Sequence, residues 1–221
     1  MRRLLAITVI LFAAAAVFAA NGYRKSYFGA TPVGAWAKYR STTSYGNTAD
    51  AMRRLTDDQG RVRYSYQTEY LSGQFKGTKS KNTYTFNKSY PADRDGLDYM
   101  KYIAAGSAEY QGKKMEFEEA ALEGIRKVPE YGPALVFEAT ETVNGKETDR
   151  YSYTINTPTG PETGKYWLSD KVPFGVVKHT STGKDATGKV STIEQVLADS
   201  GVSVPPPDEP KAKSRKSSKK N

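Results

Sequence analysis

The chain has 221 residues, with 33 Lys and Arg against 24 Asp and Glu, a single His and no Cys. Without cysteine it can have neither a disulfide scaffold nor thiol chemistry, and one histidine alone leaves no ligand set for zinc. The formal charge of +9 is concentrated at the ends. Once Arg2, Arg3 and the tail are set aside, 25 basic residues face 22 acids, so the body lacks the dense positive field of a nucleic-acid-binding fold.

In chain order, Arg2 and Arg3 precede an uncharged run from Leu4 to Ala20, and Val17-Phe18-Ala19 offers small-residue spacing. This is the layout of a secretory signal peptide, residues 1–19, cleaved after Ala19. The competing reading, a retained anchor, meets a run of 17 mostly Ala-rich residues where ~20 are needed to span a bilayer. A periplasmic or secreted protein is expected. Residues 20–32 form a polar lead-in, and 33–204 a single β-rich domain. Pro205-Pro206-Pro207 then ends the pattern, because consecutive prolines cannot donate to a strand ladder. Residues 205–221 read as a disordered Pro/Lys-rich tail.

Within the body, Arg61 to Tyr70 alternates for ten residues, with Val62, Tyr64, Tyr66, Thr68 and Tyr70 on one face. Thr83 to Asn87 repeats the pattern. Hairpin signals stand at Asp58-Gln59-Gly60, Leu71-Ser72-Gly73, Gln111-Gly112, Asn144-Gly145 and Gly183-Lys184. Asn144-Gly145 is the strongest, so Leu135 to Val143 should pair with Lys146 to Ile155. Gly96 to Ala105 reads as a short helix. Ser191 to Ser200 fits a helical stripe or a last strand, and strand is expected because its neighbours are strands. The predicted architecture is mainly β: a strongly curved antiparallel, half-barrel-like sheet with one or two short helices.

Chemistry-bearing residues are few. His179 follows Val176-Val177-Lys178 and is expected to alternate outward. No Gly-x-Ser-x-Gly elbow or glycine-rich phosphate loop is present. Asp93-Arg94-Asp95-Gly96-Leu97-Asp98 suggests a calcium loop, but an EF-type register begins at Pro91 and closes at Tyr102, so two required oxygens are missing. Glu116 and Glu118 would share a strand face, and converging carboxylates there would serve a hydrolase. No catalytic residue, metal ligand or cofactor is assigned.

The aromatic residues form the larger pattern. Most of them lie on predicted strands, where they fill a core or line a concave surface. As a ligand surface, the candidates are Trp36, Tyr64, Tyr66, Tyr84, Phe86, Tyr153 and Trp167. The expected partner is a lipid or other amphiphile. Lys211, Lys213, Arg215, Lys216, Lys219 and Lys220 are an alternative contact, drawn to an anionic envelope surface. Nucleic acid is not expected, given the export signal.

Trp167, followed after four residues by Val172-Pro173-Phe174-Gly175-Val176-Val177-Lys178, resembles a strand–turn–strand near the C-terminus of many exported bacterial proteins of unknown function. Gly112-Lys113-Lys114-Met115-Glu116 fits the hairpin those proteins carry upstream. Some are loosely similar to LolA/LppX-type lipoprotein carriers. That resemblance implies a curved half-barrel whose concave side is covered by helices, with an apolar cavity between. It carries over no ligand-binding residue.

Overall fold

The computed structural model describes residues 31–87, 99–127 and 131–203. The strands are β1 (Ala35–Thr43), β2 (Gly46–Asp58), β3 (Arg61–Tyr70), β4 (Lys79–Phe86), β5 (Ile103–Tyr110) and β6 (Lys113–Glu116), then, after helix α1 (Glu119–Arg126), β7 (Val136–Val143), β8 (Lys146–Thr157), β9 (Gly160–Leu168), β10 (Val176–Lys184) and β11 (Val190–Val202). All eleven join one curved, unclosed antiparallel sheet in the order β6-β5-β4-β3-β2-β1-β11-β10-β9-β8-β7. It consists of two sequential meanders. β1 pairing with β11 welds them together, with Ala35 opposite Val202 and Thr43 opposite Ile193.

Turn chemistry explains the hairpins. Gln59-Gly60, Gln111-Gly112 and Asn144-Gly145 all adopt positive φ, as two-residue turns matching strand twist require. The Asn144-Gly145 hairpin joins β7 to β8 as its sequence predicts. Gly183-Lys184 does not turn. β10 runs through Lys184, and the chain reverses over 185–189, where the Asp185 carboxylate accepts backbone N–H bonds from Thr187 and Lys189.

Alternation sets the two faces. Tyr39 on β1, Met52 on β2, Tyr64 on β3 and Leu197 on β11 point to one side and are buried. The β3 face read from the sequence is the observed one, and residues 191–200 lie within β11. The outer face is mostly polar, as antiparallel sheets allow. The expected helix over Gly96 to Ala105 is corrected. Its described part is one 3₁₀ turn, Tyr99–Tyr102, and β5 begins at Ile103. Pairing of Ile103 with Phe86 and of Ala105 with Thr85 decides for strand over local propensity.

Residues 117–135 connect the edge strand β6 to the opposite edge strand β7. Their helix α1 lies on the inner face against β5. Ala120, Ala121 and Leu122 favour helix, and Glu119 and Arg126 sit at the ends that suit the helix dipole. Eight residues are too few to hold a helix in isolation. Packing of Leu122, 4% exposed, and a bond from Arg126 Nε to the Ile103 carbonyl (2.7 Å) hold it instead. The signal segment 1–19, the Asp93–Asp98 loop and the basic residues from Lys211 to Lys220 lie outside the described residues.

Candidate functional site

The inner face carries two aromatic clusters. In the first, Tyr64 and Phe86 meet edge to face at 5.4 Å, and Tyr64 meets Phe174 at 5.7 Å. Tyr66 and Tyr84 pack against this cluster from its margin, and Phe117 covers Tyr84 at 6.2 Å. Four predicted site residues (Tyr64, Tyr66, Tyr84 and Phe86) therefore belong to or pack against the cluster that Leu122 of α1 joins. Burial raises the pKa of the Tyr84 phenol above its ordinary value. Tyr64 and Phe86 are 1% and 0% exposed, so they reach a ligand only if the covering segment moves.

The Val-Pro-Phe-Gly segment is part of this cluster. Phe174 and Gly175 take positive φ (64° and 73°), and Ser169 N–H donates to the Gly175 carbonyl at 2.8 Å. The tight loop drives Val172 and Phe174, both almost fully buried, onto the inner face.

Tyr153 belongs to the second cluster, with Leu135, Tyr151, Ile155, Tyr166 and Leu168. Tyr131 stands edge-on to Tyr153 and Tyr166, at 5.2 and 5.9 Å. His179 completes the arrangement, and its expected outward orientation is corrected. Two residues after the buried Val177, it shares that residue's face, with its ring stacked on Tyr166 at 4.1 Å and 10°. Its Nε2 lies 2.9 Å from Tyr153 Oη, and Tyr153 Oη donates to Glu162 Oε1 at 2.8 Å. The phenol has one proton, and its O–H is committed to the carboxylate. The network therefore assigns His179 as the neutral Nε2–H tautomer, donating to Tyr153. Burial pushes the imidazole pKa down to about 4. Burial, and then the Glu162 charge, hold the Tyr153 phenol well above its ordinary range. Neither group is poised to exchange protons near neutral pH.

Gly164 makes that reach possible. A Cβ there would collide with the Thr180 carbonyl and come within 2.5 Å of Tyr153 Oη, so the bare backbone lets the phenol pass over β9 from β8 to β10. β2 carries a buried carboxylate on the same face. Asp50, 4% exposed, accepts bonds from Ser41 Oγ (2.6 Å), Thr48 Oγ1 (2.9 Å) and Thr68 Oγ1 (2.8 Å). Three hydroxyls on three neighbouring strands satisfy it, and they join β1, β2 and β3 across the floor of the face.

Trp36 and Trp167 do not join Tyr64 and Tyr153. Both lie on the outer face, with β11 and β10 between their strands β1 and β9. Trp36 covers Gly201 and is approached by Lys38 Nζ at 5.1 Å. Trp167 Nε1 donates to Glu141 Oε1 at 2.5 Å, and Lys178 Nζ lies over its ring at 5.2 Å. Arg150 bridges Glu138 and Glu141 beside it. Glu116 and Glu118 do not converge either. Glu116 is exposed on the edge strand and paired with Lys114, and Glu118 is exposed at the start of α1, so the hydrolase reading loses its geometric premise. Among the described residues, no group of three His, Asp or Glu side chains is placed to hold a metal.

His179, Glu162, Gly164 and Asp50 escaped the sequence reading. For His179 the signal was there, in strict period two counted from Val177. The other three depend on cross-strand neighbours.

No family model matches the chain, and no curated protein does. Among solved structures it is similar to a candidate lipoprotein from Parabacteroides distasonis, with 13% identity and a TM-score of 0.37. It is also similar to a candidate exported protein with a YmcC-like fold from Bacteroides fragilis, with 12% identity and a TM-score of 0.36. Each likeness covers 80% of this chain and 99% of the other.

Proposed function

We propose that this chain is an exported, non-catalytic carrier module that holds an amphiphilic ligand against the inner face of its sheet, beneath the segment 117–135. The observation that carries the reading is the slight attachment of α1 over an aromatic surface. Leu122 is the helix's one fully buried side chain, and burying a Leu contributes about 1.5–3 kcal/mol. Lifting the helix costs far less than opening an eleven-stranded ladder. It loosens Phe117 from Tyr84, and an acyl chain can offer Tyr84 the same apolar contact. A polar head group can exchange into the hydrogen bonds that Tyr153, Glu162 and His179 make to one another on β8, β9 and β10. The resemblance to LolA/LppX-type carriers points the same way, as does the export signal.

Uptake of a fluorescent fatty acid by delipidated protein tests the proposal. Saturable binding is expected, and Tyr84→Ala should weaken it. Non-saturable uptake, or saturation indifferent to Tyr84, removes the carrier reading.

A further inference from the structure

The two rims of the sheet differ in character. One gathers the tips of β1–β2, β3–β4, β5–β6, β8–β9 and β10–β11. These tips, over 44–47, 71–79, 110–113, 157–160 and 184–190, carry five lysines (Lys76, Lys79, Lys113, Lys184 and Lys189) and one acid, Asp185. The described turns of the opposite rim, 57–61, 144–147 and 169–175, carry four acids and three basic residues. Exposed large apolar side chains are more numerous and bulkier on the lysine-rich rim, while the opposite rim exposes Val33 and Val202. Tyr45, Leu71, Phe75, Tyr110 and Val190 all stand exposed on the lysine-rich rim, Phe75 at 44% and Val190 at 66%.

That rim is also built as a unit. Tyr45 Oη donates to Asp185 Oδ2 at 2.7 Å, tying β1–β2 to β10–β11. Leu71 N–H donates to the Asn47 carbonyl at 2.8 Å, and Asn47 N–H to Ser72 Oγ at 2.8 Å, adding β3–β4. Thr159 Oγ1 donates to the Lys184 carbonyl at 2.7 Å, adding β8–β9. The one acid is consumed internally. Bonds from Thr187 and Tyr45 hold the Asp185 carboxyl down to about 2, so it stays ionised inside its own turn. An open cleft of about 620 Å³ separates Tyr45 and Gln74 from Lys189 and Val190.

We infer that this rim is a docking surface for an anionic lipid membrane. Apolar side chains held in solvent on linked turns, with lysines beside them, match the layered chemistry of acyl boundary and phosphate. A soluble anionic polymer would use the lysines but give Leu71, Phe75 and Val190 nothing to enter. The last described residue, Ser203, lies on the opposite rim, where its N–H donates to the Gly34 carbonyl. The inference does not depend on the carrier reading. Vesicle binding without ligand uptake would defeat only that reading, and uptake without vesicle binding only this one.

The test is co-sedimentation of the full chain with phosphatidylcholine vesicles, with and without phosphatidylglycerol. Lys76→Glu with Lys189→Glu should weaken binding to the anionic vesicles by roughly twenty-five-fold or more, since each basic residue near such a surface contributes ~1 kcal/mol, or about fivefold. Separately, Leu71→Ser with Phe75→Ser should weaken it by roughly tenfold or more through lost apolar burial. Unchanged circular dichroism will confirm that these exposed substitutions leave the fold intact. Phe75→Trp should give emission that brominated phosphatidylglycerol quenches. Binding indifferent to both double variants overturns the inference and assigns vesicle affinity to the tail. Charge-dependent binding to polyphosphate, with the Leu71 and Phe75 pair silent, overturns it in favour of an anionic polymer.

Discussion

Tyr153 and His179, twenty-six residues and two strands apart, meet with phenol oxygen and imidazole Nε2 at 2.9 Å, because Gly164 on the intervening strand has no side chain. The contact organises the aromatic half of the inner face. Tyr166 stacks on the same imidazole, Tyr131 closes over both tyrosines, and Glu162 accepts the hydrogen bond of the Tyr153 phenol. Tyr153→Phe preserves the packing and deletes one oxygen, leaving His179 Nε2–H and Glu162 unpartnered. A loss of about 1–3 kcal/mol is expected in urea unfolding. A smaller loss would mean that water replaces the phenol at no cost.

Stability should depend on pH through His179. Burial lowers its pKa from 6.5 to about 4, so the folded protein binds this proton less readily than the unfolded chain. Above pH 6.5 the imidazole is neutral in both states and its contribution is complete. As pH falls from 6.5 towards 4, unfolding takes up a proton and stability declines, by about 2–3 kcal/mol in all. Subtracting the profile of His179→Asn cancels the carboxylates. The difference curve should slope across that window and be flat above it. A flat difference throughout would place the ring in solvent.

Gly164→Ala puts a methyl group against the Thr180 carbonyl and the Tyr153 hydroxyl. Either β9 shifts away from β10 or the phenol leaves His179. Destabilisation of about 1–3 kcal/mol is expected from overpacking. The imidazole resonances of His179 should shift with it, and an unmoved histidine spectrum would contradict the geometry.

Asp50→Ala removes the acceptor shared by Ser41, Thr48 and Thr68. Three buried or half-buried hydroxyls lose their partner, and about 2–4 kcal/mol of stability should go with it. Hydrogen exchange should accelerate first in β1, β2 and β3. Protection lost uniformly across the sheet would show that the carboxylate has no local role.

Leu122→Ala should cost about 2–5 kcal/mol, the range for a buried leucine, and the cost should be local. Amides of 119–126 are expected to lose protection while those of β3 and β4 keep theirs. Global loss would make α1 part of the sheet's own core and remove the mobility that the carrier proposal needs.

The amino-acid sequence by itself determined what depends on neighbours along the chain. Alternation from Val62 to Tyr70 set the buried side of β3, and Asn144-Gly145 set a turn, because period two and positive φ are properties of a few consecutive residues. Gly96 to Ala105 misled for the complementary reason. Helical spacing was legible there, but Ile103 and Ala105 find their hydrogen bonds on β4, and the sequence does not announce that partner. Tertiary structure alone decided that Trp36 and Trp167 lie outside while Tyr64 and Tyr153 lie inside. It also decided that Gly164 stands between a phenol and an imidazole, and that the turns bearing Phe75 and Val190 share one rim. Those relationships depend on strand order and register, and the weld of β1 to β11, which fixes both, joins segments about 150 residues apart.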